Sequence, residues 1–308
     1  MKTKKLFRNS SGHLRAAWRT ILYIAPVIAL FKFVDKLDDL IFIKGDELSD
    51  YSLLLNRFIE KFLLLICVLI PGIALLKWLD KRPLRLLGIG LYKKALPEFL
   101  LGMLISVIII PLSALILYLL GFATFTYNGF SSVSLLYLLC SLLVVIVMAG
   151  YEEVLFRGYI FQALIEGSNI WIALVIYSLL FGAAHLSNKD VTVISVTFTI
   201  FAGAMLGILY YKTRSLWACI GTHFMWNWLY GAIFGVAKPD YLQRTLLTYK
   251  PLDSGFSLST DDIYEIILVI FCLIFTILIW RAKWLRPDAR NKELWLQYPS
   301  RYKGICCK

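Results

Sequence analysis

Two adjacent carboxylates, Glu152 and Glu153, close the apolar run Ser134–Gly150, and Arg157 follows one turn later. Two further polar pairs sit in apolar runs downstream, Phe181 with His185 and His223 with Asn227, each again four residues apart. Ionisable groups beside or inside a membrane-spanning stretch are costly, so they face a protein interior and mark function. Residues four apart share a helix face, so Glu153 can pair with Arg157 while Glu152 points about 100° away. The guanidinium then neutralises one carboxylate and leaves the other available. Taken singly, the Glu153–Arg157 pair reads as helix packing and Asn227 as an interhelical hydrogen bond; their coincidence with two histidines points to a site. A carboxylate with two histidines can do one of two jobs. Glu152, His185 and His223 could ligate a divalent ion such as zinc that activates water. Alternatively, the glutamate is a general base on a water oriented by one histidine, with His223 and Asn227 donating to the developing oxyanion. Both schemes hydrolyse an acyl bond. Neither G-x-S-x-G nor H-E-x-x-H occurs in the chain, which argues against a serine nucleophile and against the zinc-protease helix.

These residues need apolar helices to hold them. The chain is 59% hydrophobic and 17% charged, which excludes an ordinary soluble domain. Apolar runs long enough to cross a bilayer cover about 17–34, 57–79, 97–121, 134–165, 170–187, 191–211, 215–236 and 262–280. The expected fold is all-α, a polytopic membrane helical bundle with about eight transmembrane helices; barrel strands would be shorter and would alternate in polarity. The net charge of +12 does not imply nucleic acid, because Lys and Arg concentrate in both tails and in the connection 80–96. That asymmetry predicts an integral, multi-pass protein of a bacterial plasma membrane with both termini cytoplasmic, lipid around it and no nucleic-acid partner. The basic start reads as the flank of an uncleaved first span.

Three segments are expected within one domain: N-terminal spans in 1–133, a motif-bearing core in 134–236, and an outer loop, last span and basic tail in 237–308. The longest outer connections, 35–56 and 237–261, read as exposed loops. Gly203 with Gly207, and Gly231 with Gly235, have the spacing that lets helices approach closely in lipid. Cys67, Cys140, Cys219 and Cys272 fall in spans and Cys306 and Cys307 in the tail, so no disulfide is expected.

The three motifs, Glu152-Glu153-Val-Leu-Phe-Arg157-Gly158, Phe181-Gly-Ala-Ala-His185 and His223-Phe-Met-Trp-Asn227, together resemble those of the CPBP or Abi intramembrane peptidases, a family that includes type II CAAX prenyl endopeptidases and is linked to bacteriocin immunity. The similarity covers roughly 145–235. It implies about eight spans around a cavity open to the cytosol, with Glu152 as base, His185 holding the water, and His223 with Asn227 as oxyanion site. Glu153, Arg157 and Phe181 would support them. The substrate would be a peptide or protein, membrane-associated or prenylated. The family is often described as metalloproteases, yet its best-understood mechanism resembles a glutamate-activated water without metal. We adopt that scheme, with no cofactor, because only two histidines are available and Asn227 suits donation better than ligation; zinc on Glu152, His185 and His223 is the alternative. Two other classes stay in play: a non-catalytic immunity or binding protein on the same fold, and, less supported, a transporter, for which no internal repeat is seen. Oligomeric state is left open.

Simple counting along ideal helices sets Glu152 and the two histidines at different depths. A fourth helix running on through Ile165 would bring them level. A separation of more than ~10 Å between Glu152 and both histidines, about the width of a helix, would break the shared site.

Overall fold

A computed structural model describes Phe7 and residues 14–42, 49–188, 191–236 and 242–287. All eight apolar runs are helical. Helix α1 is Ala16–Lys36; α2 is Asp50–Ala74, continued by a π turn, Leu75–Leu79; α3 is Ala95–Leu119. The fourth run comprises α4, Ser132–Glu153, a π segment, Val154–Ile160, and α5, Phe161–Gly167. Then come α6, Ile170–Ala183, α7, Val193–Thr213, α8, Leu216–Trp228 with a π turn Leu229–Ile233, and α9, Thr260–Arg281. Side-chain oxygens of Ser49, Ser131, Asn169, Thr192, Ser215 and Ser259 cap six of these helices by accepting first-turn N–H bonds, which satisfies donors that have no partner within the helix.

The architecture is an all-α membrane bundle. Among the described residues six helices are long and apolar enough to span: Ala16–Lys36, Asp50–Leu79, Ala95–Leu119, Ser132–Gly167, Val193–Thr213 and Thr260–Arg281. Helix α6 has only 14 residues and α8 only 13 before its π turn, so helix length carries six spans of the expected eight. Two corrections follow. The run 170–187 is helical only to Ala183, and His185 lies in the turn beyond it. The connections on the far side are not wholly irregular either: β1, Ala123–Tyr127, pairs antiparallel with β2, Leu247–Pro251, with Phe125 opposite Tyr249. β1 alternates Thr124 and Thr126 with Phe125 and Tyr127, and β2 carries Thr248-Tyr249, a strand signal hidden within polar connections. Residues 43–48 and 237–241 of those connections, and Cys306 and Cys307, lie outside the described residues; Cys67, Cys140, Cys219 and Cys272 are free thiols.

Helix α8, which bears His223, is buried on almost every face. Its most extensive partner is α3, and it also packs on α4 and α7. Two glycines permit the α3 contact: a Cβ on Gly102 would fall 2.0 Å from Ala218 O, and one on Gly221 2.1 Å from Phe99 O. Backbone therefore meets backbone, the close approach that small residues allow in lipid. The Gly203–Gly207 pair instead admits side chains of α6 against the α7 backbone, where added Cβ atoms would crowd Phe181 and Leu174. The Gly231–Gly235 expectation is only half met, since Gly235 is a turn residue with φ +65 rather than a helix contact.

At the end of the bundle where α1 begins, Arg19 is 4% exposed and binds Asp80 and Glu166, each at 2.7 Å. Arg82 also bonds Glu166, and Tyr159 donates to Asp80 at 3.0 Å. This network ties the ends of α1, α2 and α5 together.

Candidate functional site

Glu153 is wholly buried and forms an ion pair with Arg157, which is also wholly buried. The pair closes across the junction where α4 opens into the π segment. A π turn widens the i→i+4 ladder to i→i+5 and is found preferentially at functional sites. Gln162 Nε2 donates to Gly158 O at 2.8 Å, satisfying a carbonyl of the widened turn. The Arg157 guanidinium carbon lies 5.0 Å from the Tyr177 ring centroid and 4.9 Å from that of Phe181. Two aromatic rings and one carboxylate thus enclose the cation. Tyr177 escaped the motif reading, although Tyr177, Phe181 and His185 make one stripe at four-residue spacing.

His223 connects the twin carboxylates. Its Nδ1–H donates to Glu153 Oε1 at 2.9 Å, since a carboxylate can only accept when ionised. Its Nε2 lies 3.6 Å from Glu152 Oε2. That Glu152 oxygen is buried and has no hydrogen-bond partner among the described residues. Glu152 as a whole keeps 16% side-chain exposure while Glu153 has none. One carboxylate is thus fixed by Arg157 and His223, and the other is left without a hydrogen bond on Oε2 among the described residues.

His185 enters through α6. Its Nδ1–H donates to the Phe181 carbonyl at 2.7 Å, which leaves Nε2 as the free edge. The Phe181 ring lies between the histidines, with centroids 4.8 Å from His185 and 6.2 Å from His223. The depth conflict disappears in the register of α6 against the fourth run. Phe161 packs on Tyr177 at 4.6 Å and Phe156 on Phe181 at 5.1 Å. Continuing that antiparallel register by one turn brings His185 level with Glu152. The fourth run does extend to Gly167, and the Glu152–His223 distance lies well inside the limit set for a shared site. Asn227 is half-buried one turn beyond His223 and makes no side-chain hydrogen bond among the described residues.

Among the described residues no three His, Cys, Asp or Glu side chains form a group able to hold an ion. No step below is routed through one.

Residues 132–229 match the family model of the Type II CAAX prenyl endopeptidase Rce1-like proteins. A segment of 76 residues is 34% identical to the protein named "Putative membrane peptidase YdiL" from Bacillus subtilis (strain 168). That alignment covers 25% of this chain and 29% of the relative, so the chain spans less than a third of the relative it matches. The matched region contains Glu152, Arg157, Phe181, His185, His223 and Asn227, and over it the chain is similar to the Rce1-like proteins, a family of proteases.

Proposed function

We propose that the chain is an intramembrane endopeptidase in which Glu152 activates a water against a peptide bond of a membrane-associated substrate. The observation that carries this reading is the asymmetry of the twin carboxylates: Glu153 is neutralised by Arg157 and bonded by His223, whereas Glu152 Oε2 is buried, unpartnered and 3.6 Å from His223 Nε2. A carboxylate oxygen that no protein donor occupies can accept a proton from a bound water.

The chemistry balances as follows. Glu152 takes one proton from water as the oxygen attacks the carbonyl carbon, and His185 Nε2 accepts a hydrogen bond from the remaining O–H. The carbonyl oxygen becomes an oxyanion held by Asn227 Nδ2–H and by His223 Nε2–H in its imidazolium form, with Glu153 as counter-ion. The tetrahedral adduct collapses, the C–N bond breaks, and Glu152 returns its proton to the leaving amine. Glu153, Arg157 and Phe181 position these groups. The scheme uses no cofactor. The substrate class includes peptides or proteins at the membrane, among them prenylated CAAX-like ones, and the basic tails are cytoplasmic in a plasma membrane.

Glu152→Gln tests this directly. In purified full-length protein it lowers cleavage by about 10²–10⁴-fold, the usual contribution of a general base. It leaves the thermal midpoint unchanged, because the altered oxygen bonds nothing. Full turnover in that variant refutes the role of Glu152; a collapsed midpoint refutes the claim that its carboxylate is unpartnered.

A further inference from the structure

Where α7 and α9 end, the bundle gathers cations beside aromatic rings. Trp171 of α6 packs on Trp280 of α9 at 5.0 Å, and Tyr211 of α7 stacks on the same indole at 6.2 Å. Lys212, half-buried, donates through Nζ to Trp280 O at 3.1 Å. Beyond α9 the chain turns, with Leu285 N bonded to Ala282 O at 3.2 Å and the Leu285 side chain buried. That anchor brings Arg286 back close enough to Lys212 for the two charges to repel. Arg286 Nε donates to Lys283 O at 2.8 Å, which leaves its Nη groups available.

A cation in the last turn of a helix complements the helix dipole, and Lys212 and Arg281 each stand there. That role does not account for the pair. Lys212 is turned onto a carbonyl of the neighbouring helix rather than its own, and Arg286 lies beyond the end of α9. Among the described residues neither Lys212, Arg281, Lys283 nor Arg286 pairs with a carboxylate. Two cations held near each other by carbonyls carry a mutual repulsion that an anion between them relieves. The ammonium has donors left after its bond to Trp280, and the guanidinium keeps the forked edge that suits a phosphate.

We infer that Lys212 and Arg286 bind the phosphate of an anionic phospholipid headgroup in the seam between α7 and α9. The source is a lipid rather than free phosphate because of where the pair stands. Both helices are long and apolar enough to span, so their ends reach the headgroup level. Trp171, Trp280 and Trp284 are exposed there, and indoles settle at that level of a bilayer. Arg281 and Lys283, also exposed, add positive charge that repels the ammonium of a zwitterionic headgroup and so selects an anionic one. None of these residues belongs to the Glu152 site, and the assignment stands whether or not the chain cleaves peptides.

The test uses full-length protein in detergent with equimolar phosphatidylglycerol and phosphatidylcholine, and native mass spectrometry counts the lipid retained. Wild type is expected to favour phosphatidylglycerol by roughly tenfold or more, the scale of one charge-assisted bond. Lys212→Gln/Arg286→Gln should bring the two lipids near parity. Lys32→Gln/Lys250→Gln makes the same change in net charge at exposed positions elsewhere and should keep the preference. Arg286→Gln alone, whose side chain bonds only its own turn, should lose most of it and serves where the double variant does not fold. A merely structural Lys212–Trp280 tie would leave the lipid ratio unmoved. No preference in wild type, or an undiminished one in the Lys212 and Arg286 variants, overturns the site. Inorganic phosphate supplied at the same concentration and retained in place of lipid overturns the lipid assignment.

Discussion

Removing the cation beneath the site, by Arg157→Met, should cost more than any other single change there. Both partners of the Glu153–Arg157 pair are wholly buried. Without the guanidinium, Glu153 keeps one donor among the described residues, His223 Nδ1–H, and its Oε2 already has none. An unpaired buried charge of this kind costs about 3–5 kcal/mol. The two aromatic faces at 4.9 and 5.0 Å also lose their cation, which adds about 0.5–2 kcal/mol in a desolvated setting. Glu153→Leu should be comparably damaging, because it strands Arg157 instead. The double variant Glu153→Leu/Arg157→Met removes both charges and leaves one orphaned group, the His223 Nδ1–H, at about 1–3 kcal/mol. It should therefore be more stable than either single variant, a large negative coupling in a double-mutant cycle. Intrinsic fluorescence during heating in detergent reads this as midpoints lower by on the order of 10 °C for the singles, with partial recovery in the double. A double variant whose loss equals the sum of the singles would refute the argument, because the pair would then not be an isolated buried charge couple. All three should fail to cleave, since His223 loses either its counter-ion or its setting.

Two further outcomes probe placement rather than charge. Asn227→Ala should lower kcat by about 10²–10³-fold with KM nearly unchanged, as expected for a donor that acts only on the oxyanion; a change confined to KM would reassign it to substrate binding. Gly221→Ala should separate α8 from α3, because its Cβ would sit 2.1 Å from Phe99 O, and a shift of even 1 Å at His223 costs about 10²-fold in rate. Gly150→Ala is the control, with nothing within 4 Å of its Cβ, and should be at least as stable as wild type. Equal activity in the two alanine variants would show that α3 does not set the position of His223.

The four-residue spacings were legible because they are local. Glu153–Arg157 and Phe181–His185 are contacts within one or two helical turns, and helix geometry alone predicts them. The bond by which His223 fixes Glu153 further is not of this kind. His223 reaches Glu153 across 70 residues and Arg19 reaches Glu166 across 147; no periodicity links such positions, because their meeting depends on how helices pack. Composition likewise announced eight apolar runs but not their lengths, which are settled at the ends by caps such as Asn169 and by the turn that begins after Ala183.

The π segment marks where a periodic reading fails even locally. A pattern of 3.6 residues per turn carries faces correctly along α4 as far as Glu153. From Val154 to Ile160 the turn is wider, so every residue beyond it is rotated relative to an ideal helix started at Ser132. That rotation has a use. Gly158 can lie 3.3 Å, measured from a notional Cβ, from Leu87 O and close to Leu216, so the base of α8 docks directly against the widened turn. Two turns further along α8 stands His223, opposite Glu152 and Glu153. The same irregularity that defeats the sequence pattern therefore fixes the distance between the two halves of the site. A regular α-helix through 154–160 would move that docking surface around the axis while leaving Glu152 where it is.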